Sequence, residues 1–103
     1  IQAALDSALN SDTVWVHPGT YIENIVINGR SLNLKSTEGA KKTILFGQGG
    51  RVVEMGPNSH LEGFTIRNGR ARVGAGVKVN GEGHTIKANI IEYNDQSPGG
   101  HGA

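Results

Sequence analysis

The chain of 103 residues contains no cysteine, and this absence excludes several kinds of protein at once. Without thiols there is no disulfide framework, no thiolate-bound zinc and no cysteine nucleophile. Aromatic residues make up only 5% of the chain, so a buried core has to be built mainly from aliphatic side chains. A chain without cysteine fits a reducing and an oxidising compartment equally well.

The chain also has little excess of charge of either sign. Ten Lys and Arg residues against nine Asp and Glu residues leave a formal net charge of +1. This balance argues against nucleic-acid or membrane binding through overall electrostatics. The apolar runs are only a few residues long and are too short to span a membrane. We therefore expect no nucleic-acid partner and no membrane partner.

Glycine is abundant, at 16 of 103 residues, although no Gly-X-Y period indicates collagen. The first residues have helical spacing, because Ile1, Leu5 and Leu9 recur every four positions and predict a short amphipathic helix over 1–10. After Asp12 the apolar residues alternate in short runs bounded by Gly, Asn or Ser, a pattern typical of short strands and tight turns. The predicted strands are 14–16, 25–27, 32–34, 43–46 and 51–55.

The second half of the chain contains a repeat. Residues 61–69 align with residues 86–94 at an offset of 25, which places Leu61 over Ile86. At the same offset Glu62 falls over Lys87, and another opposite-charge pair joins positions 67 and 92. Opposite charges directly across neighbouring strands stabilise a sheet. Repeats of this length predict stacked units that bury their apolar faces against one another.

The short strands sort into three columns with spacings typical of a triangular coil, in which successive turns pair as parallel strands about 4.8 Å apart. We therefore predict an all-β chain: a single-stranded parallel β-helix of about three to four coils with a short N-terminal capping α-helix. One domain is expected over 1–103, with the helix at 1–10, stacked coils at 13–95 and a lead into a further coil at 96–103. The predicted columns are Leu34, Leu61 and Ile86; Val14/Val16, Ile44/Phe46, Phe64/Ile66 and Ile91; and Ile25/Ile27, Val52/Val53 and Val77/Val79.

The opening segment IQAALDSALNSDTVWVHPGTYIENIVI resembles the first coil of pectin-lyase-like β-helix proteins. Such coils read as an "IQ-A-A" helix, a "DTV-V" strand and a "PGTY-E" segment, and the later HLEGFTIRNG and HTIKANIIEYN are similar to their repeated coils. The resemblance implies a right-handed β-helix whose first helix covers the end of the first coil. It also favours an extracellular or periplasmic location, and it leaves the activity open because the superfamily includes lyases, hydrolases, esterases and binding proteins.

No catalytic or metal-binding residues are assigned from the sequence. The nine acidic residues are spread along the chain and form no Asp-Asp or Asn-Thr-Asp cluster of the polygalacturonase type. They also form no acidic cluster of the kind that a calcium-dependent lyase needs. His60 and His84 lie one coil apart without an adjacent carboxylate, which is fewer donors than a metal site requires. We expect no cofactor.

Two features predict ligand contact. Trp15 lies between Val14 and Val16, so in a regular strand it points outward, where an indole ring serves as a sugar platform or an interface contact. A local basic stretch suits an acidic polysaccharide, but a loop whose charged side chains are only solvated explains the stretch better. This stretch comprises Arg67, Arg70 and Arg72.

Three functions stay open at this point. The first is a non-catalytic β-helix scaffold or weak carbohydrate-recognition module, which forms a homo-oligomer through an uncapped C-terminal coil. The second is the N-terminal part of a polysaccharide lyase or glycoside hydrolase whose catalytic coils lie further along. The third is a periplasmic metal-handling fragment.

Overall fold

The computed structural model describes residues 1–9, 11–27, 31–73 and 75–101, and all of their side chains except those of 71–73 and 95–101. The predicted turn positions Asn10 and Asn28-Gly29 lie outside the described residues. Within these ranges the chain forms one helix followed by short strands. They are α1 (Gln2–Ser7), β1 (Thr13–Val16), β2 (Gly19–Ile22), β3 (Ile25–Ile27), β4 (Asn33–Ser36), β5 (Thr43–Phe46), β6 (Val53–Met55), β7 (His60–Glu62), β8 (Thr65–Arg67), β9 (Arg70–Val73), β10 (Val77–Val79), β11 (Thr85–Lys87), β12 (Ile90–Ile91) and β13 (Asp95–His101).

The strands stack as a parallel β-solenoid of about three turns, which confirms the predicted all-β coil with its short N-terminal helix. Each of the first three turns contributes one strand to each of three sheets. Sheet 1 has the order β1-β4-β7-β11, sheet 2 the order β2-β5-β8-β12, and sheet 3 the order β3-β6-β10. A side ribbon of β9 and β13 adds a fourth side to the later coils.

The repeat at an offset of 25 is confirmed residue by residue. Ile86 pairs with Leu61, and Lys87 pairs with Glu62. The first predicted column is therefore correct, but it also contains Val14, which pairs with Leu34 in sheet 1. The predicted place of Val14 and Val16 in the second column is wrong, because both lie on β1 and their neighbour is β4.

The core is aliphatic apart from Phe64 and Met55, as the low aromatic content requires. Its second column follows a different phase from the predicted one. Leu45 is fully buried and pairs with Ile66, whereas Ile44 and Phe46 point outward and are half-buried. Alternation cannot choose between the two phases of an Ile-Leu-Phe run, because both faces are apolar. The pairing of Leu45 with the buried Ile66 determines that Leu45 points inward.

The helix covers one end of the solenoid, and it is shorter than the predicted 1–10. Leu5 and Ala8 are buried, but Leu9 is 73% exposed, so its predicted place in the apolar stripe was wrong. The reason is local, since the backbone becomes extended at Ala8 (ψ 149°) and Leu9 no longer follows the helical period. The side-chain amide of Gln2 pairs with the backbone of Val26, donating to its carbonyl oxygen at 2.9 Å and accepting from its N–H at 2.8 Å.

Three strands were not predicted. Of the predicted Pro18-Gly19-Thr20 turn, Gly19 and Thr20 instead open β2, which pairs with β5 over its whole length. Strands β9 and β13 pair with each other, with Asp95 opposite Arg70. The expectation that 96–103 lead into a further coil stays a prediction, and residues 102–103 lie outside the described residues.

Asparagine side chains join successive coils at their corners. Asn89 accepts a hydrogen bond from the Phe64 N–H at 2.8 Å and donates one to the Leu61 carbonyl at 2.9 Å. These bonds satisfy backbone groups where the chain turns away from its strand neighbours. Asn24, Asn68 and Asn94 bond the backbone of a neighbouring coil in the same manner.

We expect Asn89→Ala to lower the free energy of unfolding by about 1–3 kcal/mol, because two part-buried backbone groups lose their partner. Asn80 is the matched control, since it is exposed and its side chain reaches Glu54 at 3.2 Å. Asn80→Ala is expected to change the free energy of unfolding by less than about 0.5 kcal/mol. Urea unfolding of both variants measures this, and equal losses would contradict a role specific to the corner.

Candidate functional site

The outer side of sheet 1 presents two rows of mainly polar side chains. Each row contains one residue from every strand of the sheet. The parallel register sets both rows, because residues that pair across the coils point the same way. We call this surface the ladder face. One row is Thr13, Asn33, His60 and Thr85, and the other is Trp15, Lys35, Glu62 and Lys87.

Trp15 lies at the helix-covered end of the ladder face. Its side chain points outward, as the alternation with Val14 and Val16 predicts, and it is 58% exposed. The Lys35 ammonium lies 5.8 Å from the centre of the indole ring, at the outer limit of a cation–π contact. The ring therefore offers a broad apolar surface with a positive charge beside it.

The middle of the ladder face contains a close His–Glu pair. His60 Nε2 lies 2.8 Å from Glu62 Oε1, and the Glu62 side chain is one-third exposed. The hydrogen bond from His60 lowers the pKa of the Glu62 carboxyl below its usual value, and the ammonium groups of Lys35 and Lys87 lower it further. The ladder face thus holds an ionised carboxylate with a positive charge on the coil to either side.

The prediction that the histidines have no adjacent carboxylate is wrong for His60, which contacts Glu62. A His-x-Glu spacing on a strand puts both side chains on one face. The alternation of residues in the predicted strand therefore already indicated that His60 and Glu62 are neighbours. In the parallel register His60 pairs with Thr85, the residue that follows His84. Among the described residues, no group of three or more His, Asp or Glu side chains is placed to hold a metal ion.

Three of the outer carboxylates are separated by the fold itself. Glu62 belongs to sheet 1, Glu54 to sheet 3, and Glu92 follows the last strand of sheet 2. Two carboxyl groups on opposite sides of one glycosidic bond are needed for hydrolysis. These three, each on a different side of the solenoid, form no such pair.

Arg67 lies on the outer side of sheet 2, in contact with two residues of the next coil. Its Nε lies 3.5 Å from a Glu92 carboxylate oxygen, which is the charge pair that the repeat predicted. Its guanidinium carbon lies 4.7 Å from the centre of the Tyr93 ring. We call Arg67, Glu92 and Tyr93 the Arg67 platform.

The other predicted ligand residues are spread over different sides. Arg70 begins β9 of the side ribbon and is exposed, and the side chain of Arg72 lies outside the described residues. Trp15 and Arg67 occupy different sheets, so the structure gives them two separate surfaces. Sequence reasoning missed Lys35 and Tyr93 as members of these surfaces, although the alignment of 61–69 with 86–94 places Tyr93 one coil after Asn68.

The depressed pKa of Glu62 predicts a pH dependence of stability with a defined sign. The unfolded carboxyl titrates near 4.5, and the folded one titrates lower. Its stabilising contribution is therefore complete above pH 4.5 and is lost as the pH falls through the folded pKa. We expect Glu62→Gln to lose less unfolding free energy than the wild type over this acid range, as measured by urea unfolding at several pH values.

His60→Ala tests the cause of the shift. Without its hydrogen bond, the pKa of the Glu62 carboxyl, followed by NMR of the carboxyl carbon, is expected to move up toward 4.5. An unchanged titration in this variant would show that the two lysines alone depress the pKa.

Comparison with known proteins adds no family assignment. No protein-family model, curated protein or solved structure matches the chain. No helix in the described ranges is long and apolar enough to cross a membrane.

Proposed function

We propose that the chain is a non-catalytic, right-handed β-helix module of the pectin-lyase-like kind, which recognises carbohydrate on its ladder face. The observation that carries the proposal is the exposed Trp15 at one end of a regular row of polar side chains. A stacked row of this kind offers one set of contacts per coil to a linear ligand. The sequence resemblance of the first coil supports the same assignment.

The chemistry of the ladder face suits a polysaccharide. An exposed indole ring packs against the apolar face of a sugar, while ammonium, amide and hydroxyl groups bond to its hydroxyl and carboxylate groups. Successive coils repeat about every 4.8 Å, so donors and acceptors recur along the solenoid at a short, constant step. Lys35 and Lys87 outnumber Glu62, which favours a polysaccharide that carries some negative charge.

We expect Trp15→Ala to weaken binding of a galacturonate hexasaccharide by roughly tenfold, because the sugar loses its apolar platform. Isothermal titration calorimetry measures this. Leu9→Ala is the matched control, since Leu9 is an apolar side chain with 73% exposure that lies outside the ladder face. Its affinity should equal that of the wild type.

Two outcomes would contradict the proposal. Equal affinities of Trp15→Ala and the wild type would remove the ladder face as the binding surface. Release of new reducing ends or unsaturated products from the hexasaccharide would remove the non-catalytic part and favour the lyase or hydrolase alternative.

We also propose that the module self-associates through the end of the solenoid away from the helix. Within the described part of the chain, β10, β11 and β12 are the outermost strands of the three sheets at that end, and edge strands readily pair with another chain. Three core-column side chains there are more than one-third exposed: Val79 at 38%, Ile86 at 41% and Ile91 at 37%. In each copy α1 covers the opposite end. Two copies that associate through their open ends therefore form a closed dimer.

Light scattering on a size-exclusion column is expected to give a dimer mass for the wild type and a monomer mass for Ile86→Glu, which puts a charge in the apolar contact. Leu9→Glu, at the helix-covered end, is the control and should remain dimeric. A monomeric wild type would overturn self-association without affecting the carbohydrate proposal.

A further inference from the structure

Tyr93 adopts a backbone conformation that is unfavourable for its residue type. Its φ is +54°, in the left-handed region that bulky side chains rarely occupy, and its side chain is 76% exposed. A large aromatic side chain that is held in this conformation and directed into solvent gains little from burial. Strained positions of this kind concentrate at functional sites.

The corner itself does not require a tyrosine. The equivalent position of the preceding coil is Asn68, whose φ is +63° and whose N–H donates to the Tyr93 carbonyl at 3.1 Å. Asparagine tolerates the left-handed region better than any bulky residue. The solenoid therefore already shows which residue suits this corner, and Tyr93 departs from it.

The Tyr93 ring is held by Arg67. The guanidinium lies over the ring at 4.7 Å and is anchored from the side by Glu92, 3.5 Å from its Nε. The Arg67 Nε is buried and has no hydrogen-bond partner among the described residues, so the charge pair and the ring hold the group in place. One flat aromatic surface, one carboxylate and one guanidinium thus converge on the same patch.

Apolar side chains continue this patch along sheet 2. Phe46 pairs with Arg67 in register, and Ile22 pairs with Phe46. Phe46 is half-buried and Ile22 is 57% exposed, at steps of about 4.8 Å from coil to coil. The row extends the Tyr93 surface by the length of roughly two coil steps.

We infer that the Arg67 platform is a second saccharide-binding point, separate from the ladder face. The apolar face of a pyranose ring packs on Tyr93, its hydroxyl groups donate to the Glu92 carboxylate, and the terminal N–H groups of Arg67 donate to sugar oxygens. Phe46 and Ile22 contact the neighbouring ring. The inference rests on the proposed function for its class of ligand, but on different residues and a different sheet.

Tyr93→Asn separates a binding role from a structural one. If Tyr93 serves the fold, this variant loses stability together with its contact to Arg67. If Tyr93 serves a ligand, Tm stays the same or rises by up to about 4 °C, because the corner strain is relieved. Affinity for a neutral glucan hexasaccharide or a galacturonate hexasaccharide then falls by roughly tenfold.

Ala88→Asn is the matched control. Ala88 is an exposed residue of the same last coil with φ +55°, and it lies outside the Arg67 platform. This substitution relieves the same kind of strain without removing an aromatic ring. It is expected to raise Tm slightly and to leave the affinity for both hexasaccharides unchanged.

NMR of the aromatic rings distinguishes the two surfaces, because the chain has one Trp and only two Tyr residues. The Tyr93 ring signals are assigned by their absence from the spectrum of Tyr93→Asn. Shifts of these signals on addition of the hexasaccharide are the expected result. Shifts of Trp15 without Tyr93 would overturn the inference and leave the ladder face. Shifts of Tyr93 without Trp15 would support the inference and overturn the ladder face, and shifts of neither ring would overturn both.

Discussion

Parallel pairing between successive coils is the interaction on which the rest of this structure depends. Within one coil the strands are too short and too far apart to satisfy their own backbone groups, so each strand finds its partner in the next turn of the chain. Leu34, Leu61 and Ile86 show the consequence, since one inward position per coil forms a continuous aliphatic column. A shift of one residue in any strand would turn its apolar side chain outward, and this makes the register self-consistent.

The same pairing creates the outer surfaces. Residues about 25 positions apart in the chain become direct neighbours, so Glu62 lies between Lys35 and Lys87, and Arg67 meets Glu92. The ladder face is therefore a property of the stack and not of any one strand. The depressed pKa of Glu62 illustrates this, because its lysine neighbours come from two different coils.

The two ends of the solenoid are physically different. At one end the Gln2 side chain hydrogen-bonds to both backbone groups of Val26, as a neighbouring strand would, and Leu5 is buried in the core. At the other, Ile86 and Ile91 are exposed within the described ranges although they belong to core columns. Within the described ranges the two ends therefore differ in how much apolar surface they expose, and two lateral surfaces lie between them.

Much of this architecture was predictable from the order of the residues, because a parallel solenoid repeats its own pattern. The offset of 25 determined the pairing of Leu61 with Ile86, and the alternation of Val14, Trp15 and Val16 determined the outward direction of the indole. Local pattern could not determine the phase of the run from Thr43 to Phe46, because both of its faces are apolar, nor the strand partners of β1. Tertiary structure alone decided that Trp15 and Arg67 lie on different sheets and that the Arg67 guanidinium lies over the Tyr93 ring. Such placements depend on how many residues each corner contains and on how the coils close, and sequence periodicity does not record either.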